Sequence, residues 1–257
     1  MLSPVRAVGV AFSWMTVVPL PHSWTATSSL DRRVGGAVLA AVPVVGIVLG
    51  AAAAVLAWGL GYTDLPTMLV GILVVAALAL ATRGMHLDGL ADTADGLGCY
   101  GSPQRIAEVM RSGTVGPFGA ATLAAVMIVD TIGFSALADR GQWAQIGLAI
   151  AVGRVGAVVG ARRGLAPAHP NGFGALVVGT QRTSAVVWPV LAVAAAVMIG
   201  RSDVTTAVQT ALAVAVALLF GWVFTRHCAR RMDGISGDVL GAVIELGTAI
   251  TVVGLVI

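Results

Sequence analysis

Asp88, Asp92 and Asp95 stand within eight residues of one another, in the stretch HLDGLADTADGLG (86–98), although the whole chain has only twelve acids. On a helix at about 100° per residue they fall at about 0°, 40° and −20°, a single narrow stripe. Three carboxylates that close repel one another and raise each other's pKa unless a cation neutralises them. An oxygen-rich group of this kind suits Mg²⁺ or Mn²⁺, with a substrate phosphate completing the shell. Gly89 and Gly96 lie beside the stripe, at about 100° and 80°, where a missing side chain admits a ligand or a neighbouring helix. A lone aspartate would read as an acidic helix end facing water; three on one stripe favour a metal site. His86 lies about 160° around the helix from Asp88. It either caps or orients the segment or, if the helix starts there, bends toward the phosphate, and both readings stand.

A second acidic group lies near the C-terminus. Asp238 and Glu245 are seven residues apart, hence about 20° apart around a helix, and can face one bundle interior. Glu245 sits about two turns into an apolar segment, where an acid is costly and marks a functional site by default. The pair completes a metal site opposite the Asp88 stripe, or Glu245 makes a structural hydrogen bond to a neighbouring helix. Arg154 also falls inside an apolar segment. Guanidinium matches phosphate in a two-pronged geometry, so Arg154 binds phosphate or pairs with Asp130.

The elements that must position these groups are membrane helices. Of 257 residues, 58% are hydrophobic and 11% charged, with a mean hydropathy of +0.94, against about 25% charged residues in a soluble domain. Apolar runs predict an all-α polytopic bundle of seven spans, near 34–60, 65–82, 117–138, 143–161, 184–200, 204–224 and 239–257. The 33 glycines suit close helix packing in lipid. Pro43 predicts a kink or tilt in the first span, and Trp14 and Trp24 favour an interfacial N-terminal segment. The whole chain, 1–257, reads as one membrane-embedded domain with no cleaved leader. Cys99 and Cys228 fit neither a disulfide framework nor a zinc spacing.

All fifteen basic residues are arginines. Seven spans place twelve of them on one side and only Arg140 and Arg201 on the other, with Arg154 inside a span. The positive-inside rule puts the first set, the N-terminus and the long loops 83–116, 162–183 and 225–238 in the cytoplasm, and Ile257 outside. The acids gather at that same cytoplasmic face. A transporter would instead spread its acids through the membrane depth.

RGMHLDGLADTADGLG (83–98) resembles the signature of the adenosylcobinamide-GDP ribazoletransferase, or cobalamin synthase, family, matching each fixed position of its His-Leu-Asp-Gly-Leu-Ala-Asp-Thr-x-Asp-Gly block. EVMRSGTVGPFG (108–119) resembles a second block, and GISGDVLGAVIELG (234–247) is similar to a third. The resemblance implies an integral membrane enzyme of nucleotide-loop assembly in cobalamin biosynthesis, at the cytoplasmic face of the inner membrane, that requires Mg²⁺. Its substrates would be adenosylcobinamide-GDP and α-ribazole or its 5′-phosphate, with GMP released. Asp88, Asp92, Asp95 and His86 would be catalytic, and Asp88, Asp92, Asp95, Asp238 and Glu245 would hold the metal. Arg111 and Arg154, with Gly89 and Gly96 alongside, would bind the anionic substrates. The second block departs from the family at Ser112, Gly113 and Thr114, so no role passes to those positions. The loop RRGLAPAHPNGFG (162–174), with two prolines and three glycines, suits a mobile flap over a bulky corrinoid, and His169 reads as an exposed loop residue. No nucleic-acid partner is expected; a homo-oligomer or a complex with other cobalamin-pathway enzymes is compatible. A CDP-alcohol phosphatidyltransferase does kindred chemistry, but Leu90-Ala91-Asp92 interrupts any match to its motif.

Overall fold

The computed structural model describes residues 2–25 and 30–257, and the secondary structure in it is helical. Twelve helices follow in order: α1 Pro4–Met15, α2 His22–Thr25, α3 Arg32–Leu60, α4 Thr67–Ala81, α5 Met85–Gly98, α6 Pro103–Met110, α7 Pro117–Asp139, α8 Trp143–Gly160, α9 Phe173–Val177, α10 Ser184–Ile199, α11 Val204–Arg231 and α12 Gly237–Val256. The seven apolar segments of the sequence are α3, α4, α7, α8, α10, α11 and α12. Five of them (α3, α7, α8, α11 and α12) are long and apolar enough to cross a membrane, and the protein is built to be embedded in one. The other two are shorter than a full span. At about 1.5 Å per residue, the 15 residues of α4 and the 16 of α10 fall below the roughly 20 that a bilayer core needs.

α4 and α5 meet at a bend of 92°. The turn is made by Arg83 and Gly84, both in the left-handed region at φ 57 and φ 64. Glycine adopts that conformation freely, whereas arginine is strained in it. The bend turns the acidic helix α5 away from the axis of α4 and lays it against α12 and α7. One helix also runs further than the hydropathy suggests. α11 continues through Arg226, Arg230 and Arg231, whose charges favour a helix C-terminus. α3 passes through Pro43 without a break.

α8 is the buried centre, packed against α3, α12, α11 and α10, and nearly every residue from Leu148 to Gly160 is buried. α3 and α8 touch backbone to backbone at Gly50 and Gly147. Bulky apolar side chains of α10 and α11, such as Val186, Val190, Leu212 and Leu219, point outward, as lipid-facing surfaces should.

The loops converge at one end. Arg231 donates to the Cys99 carbonyl at 3.1 Å, and Ile235 exchanges backbone hydrogen bonds with Ala166 and Ala168. Arg32 donates to the Ala175 and Val178 carbonyls. The segment 162–181 is thus sewn to α3 and to the start of α12. The expected mobile flap is an ordered strap, because its backbone groups pair across the fold in a way its composition does not reveal. At the opposite end Arg140 donates to the Val256 carbonyl.

Candidate active site

α5 packs against α12 on one side and α7 on the other, so its acids face two neighbours. The crossing with α12 depends on Gly89. A methyl group there would lie 2.8 Å from the Asp238 carbonyl oxygen and 2.9 Å from its Cα. Gly241 of α12 faces His86 and Gly89 in return. Of the two readings of Gly89, the neighbouring helix is the one seen. Gly96 likewise abuts protein, the side chains of Met110 and Ile106 on α6.

The aspartate stripe sinks along α5. Asp88 is exposed, Asp92 half-buried and Asp95 buried. Burial, followed by the charges of Asp88, Asp238 and Asp95, pushes the Asp92 carboxyl up to about 6. These acids are therefore close enough to feel one another. Among the described residues, no arginine or histidine forms an ion pair with Asp88, Asp92 or Asp238. The local excess of negative charge is left for a ligand to neutralise.

Asp95 has a second partner. Its two oxygens accept the backbone N–H groups of Gly116, at 2.7 Å, and Gly119, at 2.9 Å, at the N-terminus of α7. The carboxylate meets the positive end of the helix dipole there. Glycine is required at both positions, since a Cβ would run into the Asp95 carboxylate. The Gly-x-x-Gly at 116–119 thus belongs to the acid stripe, a link that sequence spacing alone does not show.

Asp238 borders two spaces. One is a crevice of about 60 Å³ that it shares with Arg111, His169, Met110 and Ser236. Arg111, at the end of α6, is exposed there. His169, expected as a bystander in the loop, is brought to the same crevice by the strap. The second space lies on the α1 and α3 side and is lined by Arg83 and His86.

Glu245 joins a different group. Seven residues beyond Asp238, it lies about 10 Å deeper along α12. It shares a small cavity of about 20 Å³ with Arg154, Asp130 and Thr248. His86 Nδ1 stands 3.7 Å from Glu245 Oε1. Arg154 donates to the Ile150 carbonyl at 3.3 Å, while its Nε and Asp130 Oδ1 have no hydrogen-bond partner among the described residues. Among the described residues, Arg154 is the sole basic one lining that cavity. The structure thus puts Asp88, Asp92 and Asp238 within electrostatic reach of one another, with Asp238 beside Arg111, and sets His86, Glu245 and Arg154 in a separate group.

Oxygen donors without a protein counter-charge suit a hard divalent cation. Among the described residues, no three His, Cys, Asp or Glu side chains converge as a ready cage. Mg²⁺ is commonly bound by one or two carboxylates together with substrate phosphates and water, and the donor set fits that mode.

The chain matches the family described as cobalamin-5-phosphate synthase over residues 7–256. It is 32% identical over 245 residues to an adenosylcobinamide-GDP ribazoletransferase of Corynebacterium diphtheriae, covering 93% of this chain and 87% of that one. It is 35% identical over 255 residues to one of Corynebacterium efficiens, covering 96% and 90%. A third, of Frankia casuarinae, is 37% identical over 258 residues, covering 94% and 91%. No solved structure matches it significantly.

Proposed function

We propose, on the premise that the chain belongs to the cobalamin-5-phosphate synthase family and is a membrane-embedded transferase of cobalamin biosynthesis, that it joins adenosylcobinamide-GDP to α-ribazole or its 5′-phosphate. A ribose hydroxyl of the acceptor attacks the phosphate carried by cobinamide. The new O–P bond forms as the bridging P–O bond breaks, and GMP leaves with the electron pair. The hydroxyl proton passes to an aspartate of the Asp88, Asp92 and Asp238 group. Positioning and charge neutralisation supply most of the acceleration in such a transfer.

We assign Mg²⁺, or Mn²⁺ in its place, to Asp92 and Asp238, with Asp88 adding negative charge beside them, where it would neutralise charge on the pyrophosphate. Asp95 and Glu245 leave the ligand set assigned to them from sequence. The first spends its carboxylate on the α7 N-terminus, and the second lies in the deeper group with Arg154. Arg111 and His169 hold substrate phosphate across the crevice. Asp95 and the buried Arg154 group fix α5, α7, α8 and α12 around the site. The working face is cytoplasmic, with the N-terminus on that side, because the arginine-rich loops carry the site.

The observation that supports this reading best is Asp92 within electrostatic reach of Asp88 and Asp238, with no ion pair among the described residues, where Asp238 borders the Arg111 crevice. The test follows GMP release from adenosylcobinamide-GDP by the chain in liposomes, with and without α-ribazole 5′-phosphate. Release that depends on the acceptor is expected. Absence of release, or release indifferent to the acceptor, would refute the transfer.

A further inference from the structure

A cavity of about 370 Å³ opens between α1, α3, α5 and α12 and shares only Asp238 with the Arg111 crevice. Its floor is apolar, with Leu39, Val42, Leu240 and Ile244 all buried. Trp14 and Phe173 form one wall, packed edge to face at 5.7 Å between ring centroids. Its mouth is polar and exposed, at Ser13 and Arg83.

Two features point to a ligand. His86 lines the cavity with a side chain only 5% exposed; its Nδ1 is turned toward Glu245 at 3.7 Å, and among the described residues its Nε2 has no hydrogen-bond partner. Buried polar groups are normally paired, so Nε2 is the nitrogen left for a ligand, offered to the cavity by a turn of the ring. Arg83 is held in strained left-handed backbone, where its guanidinium stands at the mouth and donates to the Trp14 carbonyl at 3.3 Å. Strain of that kind gathers at ligand sites.

We infer that this cavity holds the aromatic base of the acceptor nucleoside, a bicyclic ring of the benzimidazole type. The inference rests on the ribazole-transfer reading and deepens it. Size selects between the two reactants. The cavity lies in the range of roughly 300–1,000 Å³ typical of small organic ligands, and a corrin macrocycle with its peripheral side chains is far larger. Chemistry selects the part of the acceptor. A flat base packs on Trp14 and Phe173 and over the apolar floor, and its free ring nitrogen accepts a hydrogen bond from His86. The ribose then lies toward Asp238, at the junction with the crevice that takes the phosphates. A 5′-phosphate on the ribose falls within the reach of Arg83 at the mouth. A lipid acyl chain would fill the floor but leave His86 Nε2 without a partner.

The test uses the full chain in detergent and in liposomes. Tryptophan fluorescence is titrated with α-ribazole, with benzimidazole and with oleate, in the parent and in Trp14→Phe. Two blocking variants, Val42→Phe in the floor and Ser13→Trp at the exposed mouth, are compared with the parent. Saturable quenching by α-ribazole is expected, lost in Trp14→Phe and weakened in both blocking variants. Their KM for the acceptor should rise by roughly tenfold or more, the scale on which pocket fit discriminates, while KM for adenosylcobinamide-GDP stays put. Normal acceptor KM in both blocking variants of an active enzyme overturns the inference and leaves the transfer reading standing. A parent chain without turnover overturns the transfer reading, and the titration then decides the cavity by itself. Quenching by oleate but not by α-ribazole or benzimidazole overturns the inference in favour of a lipid site.

Discussion

The Cα of Gly89 faces the backbone of Asp238 so closely that a single added methyl would lie 2.8 Å from the Asp238 carbonyl oxygen. This contact brings the acids of α5 to the acid at the start of α12. Backbone on the far side cannot swing away as a side chain can, and overpacking of this kind costs about 1–3 kcal/mol. Gly89→Ala is expected to separate the two helices, lowering both thermal stability and the rate of GMP release. Gly59→Ala, where nothing lies within 4 Å, should change neither. Equal behaviour of the two variants would remove the contact from the site.

Asp95 and Asp92 share a stripe but should fail differently. An asparagine at 95 would set an amide N–H₂ against one of the two N–H donors of α7, a mismatch worth about 1–3 kcal/mol. Asp95→Asn is therefore expected to melt earlier than the parent. Asp92→Asn relieves a crowded carboxylate, so it should hold or gain thermal stability while losing turnover. Thermal unfolding beside GMP release separates the two cases. A stable, inactive Asp95→Asn would return that residue to the metal.

The raised pKa of Asp92 has a definite sign. Between the ordinary carboxylate value near 3.8 and about 6, the folded chain binds a proton that the unfolded chain has released. Without divalent ions, stability must therefore fall as pH rises through that window. The slope should shrink in Asp92→Asn, and Mg²⁺ should remove it by favouring the ionised form. Denaturation at a series of pH values in the presence of a chelator checks this. An unchanged slope in Asp92→Asn would mean that the carboxylate is not crowded.

The stripe of α5 and the common face of Asp238 and Glu245 were both legible from helical spacing, as were the seven apolar segments. What spacing cannot carry is depth and partner. Seven residues return Glu245 to the face of Asp238, but about 10 Å deeper, where it meets Arg154 and Asp130 instead of Asp92. Asp95 finds its partners 21 and 24 residues away, a pairing set by how α7 packs and not by any local pattern. The 162–174 loop reads as a flap because proline and glycine dominate it, while its anchoring is by backbone groups that every residue possesses. His169 reaches the crevice by the same route. Arg83 looked like an ordinary topogenic arginine until the 92° bend put it at the mouth of a cavity.

Among the described residues, Arg154 is the one basic side chain that shares a cavity with Asp130 and Glu245. Removing it strands buried carboxylates, which typically costs about 3–5 kcal/mol. Arg154→Met is expected to lose most of its folded yield in the membrane, and Arg154→Met with Asp130→Asn and Glu245→Gln should recover part of it. Yield and thermal stability of the inserted protein are the readouts. A stable Arg154→Met that loses affinity for adenosylcobinamide-GDP would instead make the arginine a phosphate ligand.

The most direct measurement is the Mg²⁺ dependence of GMP release by Asp92→Asn, Asp238→Asn and the double variant, against the parent. If the two carboxylates serve one ion, each single variant should lose turnover to a similar low level and need more Mg²⁺. The double variant should then be little worse than either, since residues acting as a unit are strongly non-additive. Fully multiplicative losses with an unshifted Mg²⁺ requirement, or undiminished turnover of the parent after chelation, would contradict a metal shared between α5 and α12.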